Sequence, residues 1–227
     1  MAETRTEAYR QSYREEGYCL IKSLFSPAVS ARLVADVGED IHRVGVDKFL
    51  GQTSIHSHPG IEIYSHHYKM LNTLQWGVTA LMRDITGVAT LEPSFGYFQI
   101  YGAGNRLYVH SDRASCEHSM SVTLAYSDGE PWDLVVSKSL VDHSLPEEGK
   151  KVGETFDGED YHRASMAPGD AVAYPGHDRR HGRLEPNPNR WSAHIFLHWV
   201  DGAGENAGLA FDGKDRDTAI DFNIPRA

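Results

Sequence analysis

The segment Leu107 to Arg113, LYVHSDR, places an imidazole and a carboxylate two residues apart. In a strand, residues i and i+2 project from one face, so His110 and Asp112 can reach a single metal ion while Ser111 points away. A third donor has to come from a sequence-distant strand. The run PGHDRRHGR offers two, His177 and His181, just after a predicted strand from Ala171 to Tyr174. Two imidazoles and one carboxylate on one face of an ion leave its other positions open, the donor set with which non-haem Fe(II) takes up a cosubstrate and dioxygen.

A second group of candidates lies in NRWSAHIFLHWV near the end of the chain. Arg190, Ser192, His194, Phe196 and His198 share one parity of this strand, and Trp191, Ala193, Ile195, Leu197 and Trp199 share the other. A guanidinium and a hydroxyl two positions apart can grip a carboxylate together, Arg190 through a paired salt bridge and Ser192 through one more hydrogen bond. The plainer alternative makes Arg190 a surface arginine flanking an apolar strand. Tyr97, Gln99 and Tyr101 share a strand face and are placed to hydrogen-bond a cosubstrate, although such a stripe also suits a core. Arg106 and Arg113 flank the metal strand, where they would meet an anionic substrate or pair with nearby acids. Glu117 and His118 follow closely in sequence, and Trp132 opens a further strand that walls a pocket or fills the core. His56, His58, His66 and His67 lie in a Gly/Pro-containing stretch with no clear ligand set.

The elements that must position these residues divide into helices first and strands afterwards. A short strand is expected at Gly17 to Ile21. Ser26-Pro27 then supplies an N-cap and a proline suited to the first turn, and Val29, Leu33, Val37, Ile41 and Val44 recur at helical spacing. A second helix is predicted from about Lys69 to Ile85, with Gly87 at the stop position. Beyond it the pattern becomes period two. Strands are expected at Phe95 to Tyr101, Ser119 to Tyr126, Trp132 to Ser137, Ala171 to Tyr174 and Trp191 to Val200, with turn signals between them. This order predicts a mainly β protein with supporting helices, a double-stranded β-helix or cupin-like jelly roll. One domain is expected over 1–227, with helical support over about 1–90, a polar insertion at about 141–162 that is a lid candidate, and an irregular tail from Asp201.

Composition narrows the partners. With 32 Asp/Glu against 22 Lys/Arg the formal charge is −10, which disfavours a long contact with nucleic acid. No apolar run is long enough for a membrane span, and the polar start MAETRTEAYRQSYREEGY carries no secretory signal, so a cytoplasmic protein is expected. Cys19 and Cys116 are too few for a disulfide framework. No P-loop, nucleophile elbow, H-E-x-x-H or paired C-x-x-C motif is present.

Taken together, these motifs resemble the Fe(II)/2-oxoglutarate-dependent oxygenase superfamily. Its jelly roll carries a His-x-Asp…His triad followed by an arginine, often as Arg-x-Ser, that binds the distal carboxylate of 2-oxoglutarate. The likeness runs from GYCLIKSLFSPAVSARL to RWSAHIFLHW. It implies His110, Asp112 and His181 as iron ligands, and Arg190 with Ser192, assisted by Tyr97 and Gln99, as the cosubstrate site. His181 is preferred to His177 because it stands nine residues before Arg190, near the family spacing. The resemblance further implies O2 as cosubstrate, succinate and CO2 as coproducts, and hydroxylation of a small molecule such as an amino acid or natural-product intermediate. Asp112 disfavours halogenation, for which the family replaces this carboxylate. Two other readings stay open: a cupin-like dioxygenase or isomerase without 2-oxoglutarate, and a non-enzymatic jelly-roll binding protein.

Overall fold

The helix signals translate directly into structure in the computed structural model, which describes residues 2–144 and 153–213. Helix α2 (Pro27–Val44) follows Ser26, whose Oγ accepts from the Val29 N–H at 3.3 Å, and it buries Leu33 and Val37. Helix α3 (Met70–Thr86) stops at Gly87, whose φ of 77° belongs to the left-handed region where a residue without Cβ is least strained. It buries Leu71, Val78, Met82 and Ile85, each contributing about 1.5–3 kcal/mol of apolar burial. Ahead of both, the polar start forms α1 (Ala2–Glu16), which packs Tyr9 and Tyr13 onto the same core.

The strands form two antiparallel sheets. The larger joins, in spatial order, β1 (Cys19–Ile21), β9 (Ala171–Tyr174), β6 (His118–Tyr126), β11 (Trp191–Asp201), β4 (Leu91–Gly102), β3 (Gly60–Tyr64) and β2 (Leu50–Gly51). The smaller joins β5 (Leu107–His110), β10 (His181–Arg183), β7 (Leu134–Ser137) and β8 (Tyr161–Ala164). This is the expected jelly roll. The two parities of β11 separate as the sequence predicts: Ala193, Ile195, Leu197 and Trp199 join the apolar core shared with the helices. Trp199 Nε1 also donates to Thr79 Oγ1 at 2.9 Å, tying the sheet to α3. Ser192, His194, Phe196 and His198 take the opposite face and are buried outside that core.

Some segments depart from the expectations, among them β10, which the sequence leaves unassigned as a strand, and others refine them. β3 lies inside the histidine-containing stretch that the sequence leaves unassigned, because its pattern covers only five residues. β8 begins at Tyr161, so the insertion yields its last residues to the smaller sheet, and 145–152 lie outside the described residues. The stretch after Asp201 closes in tight turns through Ala207–Gly213, with Phe211 and Asp212 at φ of 52° and 63°. Both cysteines are free and buried. Among the described residues no helix is long and apolar enough to cross a membrane.

Candidate active site

The smaller sheet brings together the candidate metal ligands. β5 and β10 pair with His110 opposite His181, which puts the two rings 4.5 Å apart between centroids. Asp112 follows β5 and is fixed by its N–H bond to the Gly176 carbonyl at 2.9 Å. Its Oδ1 lies 3.5 Å from His110 Nε2 and its Oδ2 lies 3.5 Å from His181 Nε2. A Cβ at position 176 would come within 2.6 Å of Asp112 Oδ2, so glycine there permits the close approach.

Hydrogen bonds at the back of each ring select the tautomer. His110 Nδ1 donates to the Tyr108 carbonyl at 2.6 Å, and His181 Nδ1 donates to the Arg179 carbonyl at 3.0 Å. Each Nε2 is thereby left as the lone-pair donor facing Asp112, the orientation that metal-binding histidines require. Burial pushes the His181 imidazole down to about 4, which keeps it neutral near pH 7. Burial alone would push the Asp112 carboxyl up, but the His181 and His110 imidazoles outweigh it and hold it below the usual carboxylate range. Asp112 Oδ2 is shut off from solvent without a hydrogen-bond partner, which a metal ion would supply. His177 stays out of this cluster: its Nδ1 donates to the Asp112 carbonyl at 2.9 Å and its ring stacks on His143 instead.

Arg190 is not brought to the site. It stands just before β11, 76% exposed, with its N–H and Nε bonded to Asp128 in the β6–β7 turn at 2.7 and 3.0 Å. Asn189 sets this geometry by accepting from the Asp128 and Glu130 N–H groups and donating to the Glu130 carbonyl. Ser192 is buried, but its Oγ accepts from Asn187 Nδ2 rather than from an arginine.

The interior arginine is Arg183, two residues after His181 on β10 and fully buried. Its guanidinium lies 4.7 Å from the Trp132 ring, donates to the Trp132 carbonyl and approaches His194 Nδ1 at 3.2 Å. No carboxylate pairs with it among the described residues, although a buried guanidinium without a counter-charge is costly. Around it are further buried polar atoms without partners: Arg183 Nε, His194 Nε2, the Tyr101 and Tyr174 hydroxyls, and both amide atoms of Gln99. The cluster adjoins the His110, Asp112 and His181 group, since the Tyr174 ring lies 4.6 Å from His181 and the charges of Asp112 and Arg183 both act on its phenol. Burial and then Arg183 hold His194 well below the usual histidine range, so it is neutral.

A cavity of about 530 Å³ opens beside the triad, lined by His110, Asp112, Tyr64, Phe95, Tyr97 and Arg113 among others. Tyr97 lines this cavity and also packs on the cluster of Tyr101, Trp132 and Phe196, stacked on Tyr64 and Phe196 at 5.3 and 5.0 Å. Arg113 lies 4.3 Å above the Phe95 ring, while Arg106 is turned away to the Leu184 carbonyl. His56 and Glu62, paired at 3.3 Å, also line the cavity. His198 closes its floor, with Nδ1 bonded to Ser119 Oγ at 2.8 Å. Glu117 bonds the Asp201 N–H, His118 bonds Tyr13 at 2.7 Å, and Trp132 is buried beside Arg183.

Sequence reasoning named His56 without a ligand set and passed over Arg183, Tyr174 and Glu62. The signal for Arg183 was its i+2 relation to His181, which places both on one face of a strand.

No protein-family model and no curated protein matches the sequence. Solved structures match in fold. The non-haem α-ketoglutarate-dependent carbocyclase SnoK from nogalamycin biosynthesis is 14% identical, with a TM-score of 0.66 over 88% of this chain and 86% of that one. The related epimerase SnoN is 11% identical, with a TM-score of 0.65 over 88% and 84%. A Pseudomonas putida prolyl-4-hydroxylase is 14% identical, with a TM-score of 0.58 over 85% and 98%. The chain has the fold of the Fe(II)/2-oxoglutarate-dependent oxygenases.

Proposed function

We propose that the protein is an Fe(II)/2-oxoglutarate-dependent oxygenase acting on a small molecule, with hydroxylation of a C–H bond as its reaction. The observation that carries this reading is a buried arginine without a counter-ion, surrounded by unpaired polar atoms, next to a buried His/Asp/His cluster. In this reading His110, Asp112 and His181 hold the iron. Two imidazole nitrogens and one carboxylate make a donor set suited to a divalent ion and open on its other side. Arg183 takes the distal carboxylate of 2-oxoglutarate, assisted by His194 and Tyr101, in the role that the family resemblance gives to Arg190 and Ser192. Gln99 and Tyr174 are the donors next available to the cosubstrate.

When bound, iron and 2-oxoglutarate supply the oxidising power from O2, with succinate and CO2 as coproducts. The chain's own contribution is placement. The backbone carbonyls of Tyr108 and Arg179 keep both imidazoles turned toward Asp112, and Gly176 lets the carboxylate sit close. Burial of Arg183 excludes water from its guanidinium and so strengthens its hold on an anion. The cavity has the size of a small-molecule site. Its aromatic side, Tyr64, Phe95 and Tyr97, suits an apolar or flat portion of a substrate such as an amino acid or natural-product intermediate. SnoK and SnoN are described as a carbocyclase and an epimerase, so the reaction outcome on this fold has to be measured.

A cupin-like enzyme without 2-oxoglutarate would leave the buried charge of Arg183 unexplained, and a binding protein would leave the tautomer-locked triad unexplained. The test is succinate release from 2-oxoglutarate under air. Release that requires added Fe(II) is expected, and iron binding without any 2-oxoglutarate consumption would contradict the proposal.

A further inference from the structure

His177, the alternative third ligand in the sequence, belongs to a different cluster. His143, His177 and Asp178 each offer a donor atom within 4.8 Å of the other two, on the outside of the β9–β10 loop. His143 Nε2 lies 2.9 Å from Asp178 Oδ1, and the His143 and His177 rings stack at 4.2 Å with 15° between their planes. His177 is prepared as His110 and His181 are: its Nδ1–H is committed to a backbone carbonyl, that of Asp112, which leaves Nε2 as a lone-pair donor. Asp178 is held in place by its own N–H bond to the Pro175 carbonyl and by the Val141 N–H donating to its carbonyl. Ser144 N–H and Oγ bond Asp142 Oδ1 at 2.9 and 2.6 Å, which orders the backbone around His143.

We infer that His143, His177 and Asp178 form a second metal site, for a borderline divalent ion of the Zn2+ class. With bonds of about 2.0–2.1 Å, donors that share such an ion lie roughly 3.0–3.4 Å apart, so small side-chain rotations close the cluster. Two imidazoles and a carboxylate suit this class of ion, and the exposure of His143 (37%) and Asp178 (45%) leaves its remaining positions to water. The site would clamp the start of the 141–162 segment to the loop that leads into His181. It also communicates with the inner triad, because the His177 ring that takes the ion holds the Asp112 carbonyl.

The experiment uses the full chain, stripped of metal by a chelator and dialysed, and titrates it with Zn2+ in a calorimeter. Two saturable binding events are expected, one at the inner triad and one outside. Asp112→Ala should lose the inner event and keep the outer one. His143→Ala and Asp178→Asn should each weaken the outer event at least tenfold and keep the inner one, with thermal melts checking that the variants fold. As a second readout, Zn2+ should raise the thermal midpoint of Asp112→Ala but not of the double variant Asp112→Ala/His143→Ala. A single event that disappears in Asp112→Ala, or an outer event unchanged in both His143→Ala and Asp178→Asn, would overturn the assignment.

Discussion

Arg183 and Arg190 stand seven residues apart, at the two ends of the connection from β10 in the smaller sheet to β11 in the larger, yet they occupy opposite environments. Arg183 continues the inward parity of His181 and ends fully buried against Trp132 and His194. Arg190 comes after the turn LEPNPN, where Pro186 and Pro188 cannot donate ladder bonds, and it is delivered to the exposed Asp128. Spacing from the last histidine therefore does not decide which arginine serves the interior. The decisive factor is position relative to the strands: Arg183 lies within β10, two residues from His181, whereas Arg190 stands before β11 begins at Trp191 and is held outside by Asp128.

The largest effect separating the two regions is expected at the triad. Asp112→Ala removes the carboxylate between the imidazoles, so the protein should retain no iron after gel filtration, while Asp128→Ala beside Arg190 retains it fully. Equal iron retention by both would break the contrast between an inner site and an outer ion pair. Next in size is His194→Phe, which removes a neutral donor beside Arg183 and should weaken 2-oxoglutarate binding about tenfold, the worth of one buried hydrogen bond to a charged ligand. An unchanged KM for 2-oxoglutarate would place the cosubstrate elsewhere.

Acid should act through the interior. Burial holds His181 and His198 down at about 4, and His194 is also held well below its ordinary range. The unfolded chain binds these protons near pH 6.5 and the folded chain does not, so this stability is complete above about pH 6.5 and is lost as pH falls toward about 4. The thermal midpoint of metal-free protein should drop by at least about 5 °C between pH 7 and pH 5. A flat profile would mean that these rings are hydrated. The smallest effect belongs to Arg190→Ala, whose exposed and salt-screened pair with Asp128 predicts a thermal midpoint close to that of the native chain.

Much of the scaffold was legible because its signals are local. Ser26-Pro27 and Gly87 mark helix ends through their own backbone chemistry, and the alternation in β11 separates the apolar core from the inner face. The His-x-Asp spacing was legible for the same reason, and the structure brings His110, Asp112 and His181 together. The exposure of Arg190 was not. Arg190 is turned outward by Asn189 and Asp128, and Asn187 bonds the Tyr101 and Gly102 carbonyls, all contacts made across the fold. Glu62 reaches the cavity on a five-residue strand whose pairing with β4 only the assembled sheet reveals, and His56 lines it from an isolated bridge to Leu107.

The most direct test of the account is an anaerobic titration of the iron-loaded protein with 2-oxoglutarate, read by the weak visible absorption of the chelated keto acid, in the native chain, Arg183→Met and Arg190→Met. Loss of a charged partner from a buried pair corresponds to about a hundredfold weaker binding in Arg183→Met, with Arg190→Met within twofold of native. The reverse order, with Arg190→Met impaired and Arg183→Met unaffected, would contradict the assignment of Arg183 and return the cosubstrate to the start of β11.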